Sequence, residues 1–140
     1  MSICILGLCE LEAEIHHPQT YEIMNELRDR LIDTYSDRLI AMILFGSQAR
    51  GDATPDSDFD VLIVLKDPVK TGKEIERTGY FLSPLCLKYN VVICNLFLSV
   101  TRFENEQTML MQNITKEGIY FYDKRAAISS AKSSRQPTRR

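Results

Sequence analysis

Five positions in this chain are of a type and spacing that could do chemistry: Gly46, Ser47, Arg50, Asp58 and Asp60. Gly46-Ser47 closes an apolar run, Leu39 to Phe45. A polar, turn-rich spacer of ten residues follows, and Asp58-Phe59-Asp60 then opens a second apolar run, Val61 to Leu65. Side chains alternate across a strand, so carboxylates at i and i+2 point the same way. Two like charges on one face repel unless a cation lies between them. The pair therefore implies a divalent metal. Mg²⁺ suits it, because that ion binds one or two carboxylates together with substrate phosphates. The phosphate has a matching place: glycine lets it approach the main chain, and backbone N–H groups at the start of a helical turn, with the serine hydroxyl, would hold it. Arg50 joins this nucleotide-binding group if it reaches a phosphate. Pairing with an acid such as Asp52 is the competing role and the preferred one. Ser57 reads as a turn-shaping residue. Each element alone is common in proteins; their order, strand contexts and spacing together are far more specific.

The elements that must position these residues follow from periodicity. Tyr21, Met24, Leu27, Leu31 and Tyr35 recur at helical steps, which predicts a helix over Thr20 to Tyr35. Leu39 to Phe45 reads as a buried strand, Gln48 to Gly51 as one helical turn, and Asp58 to Leu65 as the second strand. Glu74 to Lys88 is expected to be a helix, kinked or restarted near Gly79 and Pro84. Asn90 to Leu98 is the expected third strand. A helix capped by Ser99 or Thr101 is expected to run to about Glu117 and stop at Gly118. Ile119 to Tyr122 is a short fourth strand. Alternating strands and helices imply an α/β (α+β) domain, with a small mixed sheet of about four strands covered by helices.

Size and charge narrow the function. The chain of 140 residues suffices for one domain, expected over 19–123, with an N-terminal leader or extra strand at 1–18 and a basic, disordered tail at 124–140. The tail holds six basic residues and no acid. The rest has eleven basic against nineteen acidic residues, a net charge of −8, which argues against direct nucleic-acid binding. No apolar run approaches the roughly 20 residues a membrane span needs. Cys4, Cys9, Cys86 and Cys94 lack metal-ligand spacing and read as reduced thiols of a cytoplasmic protein. His16 and His17 read as a surface pair in a loop.

The Gly-Ser, ten residues, Asp-x-Asp signature resembles that of the nucleotidyltransferases of the DNA polymerase β superfamily, in particular the minimal nucleotidyltransferases. The resemblance runs from about Thr20 to Tyr122. It implies a polymerase-β-like fold, ATP as substrate, Mg²⁺ on Asp58 and Asp60, and a triphosphate held at Gly46, Ser47 and Arg50. Such proteins are commonly paired with HEPN-domain ribonuclease toxins, which they neutralise as antitoxins by adding AMP to a tyrosine. The resemblance therefore implies a HEPN partner and a hetero-oligomer.

The family usually carries a third acid at the start of a later strand, in a pattern such as Tyr-Asp-Val-Val-Ile. This chain reads Tyr89-Asn90-Val91-Val92-Ile93, and it has no Asp or Glu from Lys88 to Val100. The resemblance thus places Asn90 in the catalytic set as an amide that can neither carry charge nor accept a proton at neutral pH. Three explanations stand: a slow or silent enzyme, a substitution introduced to trap a complex, or service by Glu104 or Glu106. Three functions are weighed: an adenylyl-transferring antitoxin, a catalytically silent binding partner of the same fold, which Asn90 favours, and a stand-alone small-molecule nucleotidyltransferase.

Overall fold

A computed structural model describes residues 17–54 and 56–125. The expected leader and most of the basic tail, with Cys4, Cys9 and His16, lie outside the described residues. Helix α1 (Thr20–Tyr35) leads through a 3₁₀ turn (Ser36–Arg38) to strand β1 (Leu39–Phe45). One turn of helix, α2 (Ser47–Arg50), precedes β2 (Phe59–Leu65). Helix α3 (Thr71–Tyr89) crosses to β3 (Ile93–Ser99), and α4 (Val100–Asn105) and α5 (Met109–Glu117) lead to β4 (Ile119–Asp123).

The four strands form one mixed sheet in the order β3-β2-β1-β4. β1 is antiparallel to both β2 and β4, and β2 is parallel to β3. The central strands β1 and β2 are buried on both faces, which is why they read as continuous apolar runs rather than as alternation. One face packs on α1 and α3 through Leu27, Leu31, Phe81 and Leu85, against Leu44, Val61 and Ile63. The other face meets α5 through Met111 and Ile114, against Ile43, Leu62 and Val64.

Two expectations are corrected and a third, the stop at Gly118, is borne out. Helix α3 is continuous, with Pro84 inside it. Pro84 and Tyr80 lie on the exposed side, so the carbonyl that the proline leaves without an amide faces water while Phe81 and Leu85 hold the helix on the sheet. The single helix expected after β3 is two helices. Ser99 caps α4 by accepting from the Arg102 amide, and Thr108 caps α5 by accepting from the Met111 amide. Gly118 does end α5, but in an extended conformation; an added Cβ would lie 2.5 Å from both the Ile114 carbonyl oxygen and Ile43 Cγ2. Close packing, not left-handed backbone, requires glycine there.

The end of the sheet where β1 starts is tied by a buried acid. Glu74 is 3% exposed and accepts from the Tyr35 hydroxyl at 2.7 Å, with Arg38 at 3.5 Å and Arg77 at 3.7 Å. Burial and the Glu74 carboxylate together push the Tyr35 phenol well above its ordinary range. This network joins α1, α3 and the 3₁₀ turn at the far end of β1 from Gly46.

Candidate active site

At the end of β1 the chain turns through Gly46, whose φ of 79° and ψ of −158° place it in a region essentially reserved for glycine. A Cβ at this position would lie 2.5 Å from Asp60 Oδ2. Glycine thus provides both the turn and the close approach of the main chain to the carboxylate. The Gly46 carbonyl accepts from the Ala49 and Arg50 amides at 3.1 and 3.0 Å, which closes α2 and leaves the Ser47 and Gln48 amides at its open start. Gly51, at φ 84°, ends the turn. Gln48 is fully buried, and its Nε2 donates to the Ser57 carbonyl at 3.3 Å, pinning the spacer against α2. Sequence reasoning missed Gln48, because nothing distinguishes a buried amide within a polar spacer. Ser57 shapes the turn as expected, accepting from the Thr54 amide at 2.8 Å.

Phe59 points into the core, so its neighbours Asp58 and Asp60 share the opposite face. Asp60 lies between Phe45 of β1 and Cys94 of β3 in the ladder. Burial, and then the charge of Asp58, hold the Asp60 carboxyl above the ordinary carboxylate value, while Arg50 draws it partly back. Arg50 pairs with Asp52 at 3.1 Å, the preferred role, and its other end faces Glu117 Oε1 at 3.7 Å.

The structure places Asn90 before β3 rather than at its start. β3 begins at Ile93, and Asn90 is the left-handed C-cap of α3 at φ 56° and ψ 49°, exposed and outside the strand. The chain needs positive φ to leave the helix there, and asparagine tolerates it. The β3 residue beside Asp60 is Cys94, whose thiol donates to Asp58 Oδ2 at 3.7 Å. Burial, followed by the charges of Asp58 and Asp60, pushes this thiol up. Cys94 could have been found only from the register, which helix length and cap geometry determine. Glu104 and Glu106 do not serve the site: α4 follows the opposite end of β3, and these acids face Arg125 at 3.7 Å and Arg102 at 2.8 Å. His17 packs edge-on against Phe59 with ring centroids 5.4 Å apart, rather than standing free on the surface.

Two carboxylates on one face, with Asp60 already strained by its neighbour's charge, fit a single Mg²⁺ whose remaining ligands are water and phosphate. A thiol in the third place does not extend that fit, because sulfur is a soft donor and Mg²⁺ takes oxygen. Among the described residues no group of three or more His, Cys, Asp or Glu is arranged to hold an ion.

Beside the aspartates lies a cleft of about 330 Å³. Gly46, Ser47 and Asp60 form its floor, Arg50 its rim, and Leu110, Asn113 and Glu117 of α5 its wall.

Residues 24–121 match the family described as nucleotidyltransferase domain. Two curated relatives come from Methanocaldococcus jannaschii. The chain is 38% identical to "Putative protein adenylyltransferase MJ0141" over 80 residues, 57% of this chain and 80% of that protein. It is 33% identical to "Putative protein adenylyltransferase MJ0604" over 102 residues, 72% of this chain and 92% of the relative. Among solved structures, a chain from the complex of a tri-AMPylated Shewanella oneidensis HEPN toxin with its MNT antitoxin superposes with a TM-score of 0.50. The identity is 14%, and the match covers 83% of this chain and 91% of that one, a likeness of fold. No helix among the described residues is long and apolar enough to cross a membrane. The family match holds both halves of the site, the glycine-serine turn and the paired aspartates, and most of the sheet between them; this chain belongs to the nucleotidyltransferase-domain family.

Proposed function

We infer that this protein is an antitoxin-type protein adenylyltransferase. It transfers AMP from ATP to a tyrosine hydroxyl of a HEPN ribonuclease partner and thereby silences that partner. The observation that carries this reading is the juxtaposition of Asp58 and Asp60 with a glycine-serine turn that opens a helical turn beside a cleft lined by Gly46, Ser47 and Asp60. The adenylyltransferase names of the curated relatives support the reaction class, and the HEPN–MNT complex of similar fold supports the partner.

The chain's own residues would divide the work. The Gly46–Ser47 turn would receive the triphosphate, and Asp58 and Asp60 would hold Mg²⁺, which when bound would supply neutralisation of phosphate charge. The tyrosine oxygen bonds to the α-phosphorus, the bond from that phosphorus to the bridging oxygen breaks, and pyrophosphate leaves. The hydroxyl proton passes to water. Positioning and electrostatics supply most of such catalysis.

One observation favours a second reading, a catalytically silent partner of the same fold: the β3 residue beside both aspartates is Cys94, not a carboxylate. Incubation with α-labelled ATP, Mg²⁺ and a candidate HEPN partner separates the two. Label on a partner tyrosine with the wild type, and none with Asp60→Asn, supports the enzyme. Neutralisation of the ribonuclease without label, by both the wild type and Cys94→Asp, supports the silent partner. Absence of both binding and label overturns both.

A further inference from the structure

The cleft beside Asp60 is lined on the β1 and β2 side by Gly46, Ser47 and Asp60, with the apolar Phe45 next to them and Ile114 beneath. Its wall is the stripe of α5 that carries Leu110, Asn113 and Glu117 at helical spacing. The same helix buries Met111 and Ile114 against the sheet, yet leaves Leu110 47% exposed and facing this cleft. Core packing therefore does not account for Leu110. Asn113 is exposed, and its amide makes no hydrogen bond among the described residues. A leucine and an unpaired amide next to the glycine-serine turn suit a ligand that is charged at one end and flat, apolar and hydrogen-bonding at the other. The volume, about 330 Å³, lies within the range of about 300–1,000 Å³ that small-molecule sites occupy.

We propose that this stripe of α5 is the nucleobase subsite, with Leu110 covering one face of an adenine and the Asn113 amide pairing with its edge. The inference rests on the adenylyl-transfer reading above. A side-chain amide offers one acceptor and one donor, which match the adenine N6 amine and N7 together. Guanine presents two acceptors, O6 and N7, along the same edge, so the amide oxygen would face another acceptor. Asn113 thus makes the site select ATP over GTP, while the floor is indifferent to the base.

The test is calorimetric titration of the full chain, with Mg²⁺ present, using ATP, GTP and tripolyphosphate. The wild type is expected to bind ATP about tenfold more tightly than GTP, in the range one bidentate base contact supplies. Asn113→Ala should lower ATP affinity to that of GTP and leave tripolyphosphate unchanged. Leu110→Ala should weaken both nucleotides and again leave tripolyphosphate unchanged. Both side chains are exposed, and unchanged unfolding temperatures would show that the variants fold. Equal affinity of the wild type for ATP and GTP, or an undiminished ATP preference in Asn113→Ala, overturns the subsite. Tripolyphosphate binding as tightly as ATP overturns the subsite while leaving the phosphate site standing. Failure of all three to bind overturns the adenylyl-transfer reading along with it.

Discussion

Cys94 lies directly beside Asp60 in the parallel β2–β3 register, and its thiol donates to Asp58 Oδ2 at 3.7 Å. The β3 neighbour of the paired aspartates is therefore a cysteine within the strand, and Asn90 lies before the strand begins.

This relationship separates two substitutions that the sequence alone would rank the other way. Cys94→Asp adds a third carboxylate to the face of Asp58 and Asp60. It should strengthen Mn²⁺ binding, read by electron paramagnetic resonance, and raise label transfer by about 10² or more, the scale of a positioned base. Without metal the same variant should unfold at a lower temperature than the wild type, because three carboxylates then share one face. Asn90→Asp changes an exposed helix cap and should leave metal binding and transfer unchanged. A rise in transfer with Asn90→Asp, and none with Cys94→Asp, would contradict the register.

Asp60 contributes one component to the pH dependence of the metal-free protein. Its folded carboxyl lies above the ordinary value of 3.8, held there by burial and by Asp58. The unfolded chain gives up this proton first as pH rises. The group's effect is thus to lower stability as pH climbs from that ordinary value through the raised one, with the penalty complete above it. Asp60→Asn should be more stable than the wild type at neutral pH in chelator, and should lose that part of the slope. Mg²⁺ should raise the unfolding temperature of the wild type but not of Asp60→Asn. Thermal melts across pH, with and without Mg²⁺, check both outcomes.

Gly46→Ala should damage stability and site together. The added methyl meets Asp60 Oδ2, and the backbone would hold alanine in a region costing about 1–3 kcal/mol. An unfolding temperature lower by about 3–4 °C for each kcal/mol is expected, with loss of ATP binding by calorimetry. A variant that melts and binds as the wild type does would show that the turn tolerates a side chain.

The network around Glu74 should matter for stability alone. Tyr35→Phe removes the 2.7 Å hydrogen bond to a carboxylate that is 3% exposed, at a cost of about 1.5–3 kcal/mol for a bond to a charged group. Urea unfolding should shift to a lower midpoint, while ATP binding by the folded variant stays at the wild-type value.

Sequence alone determined the elements that rest on local signals. Helix α1 is legible from end to end because its buried residues recur at helical steps, and β1 because an apolar run stops at Gly46. The paired carboxylates are legible because a period of two is a property of any strand. Tertiary structure decided the rest. Pro84 remains in a continuous helix because its exposed side is hydrated while Phe81 and Leu85 are held by the sheet. Gln48 is buried because the spacer folds back over α2. The residue that meets Asp58 and Asp60 depends on where α3 ends and on the register in which β3 joins β2, and neither is encoded within the Asn90 segment. A left-handed cap spends Asn90 on leaving the helix, Val91 and Val92 lead into the ladder, and Cys94 arrives beside the aspartates. Spacing along the chain can bring two acids to one face. Only pairing between strands, set by packing far from the motif, selects their third neighbour.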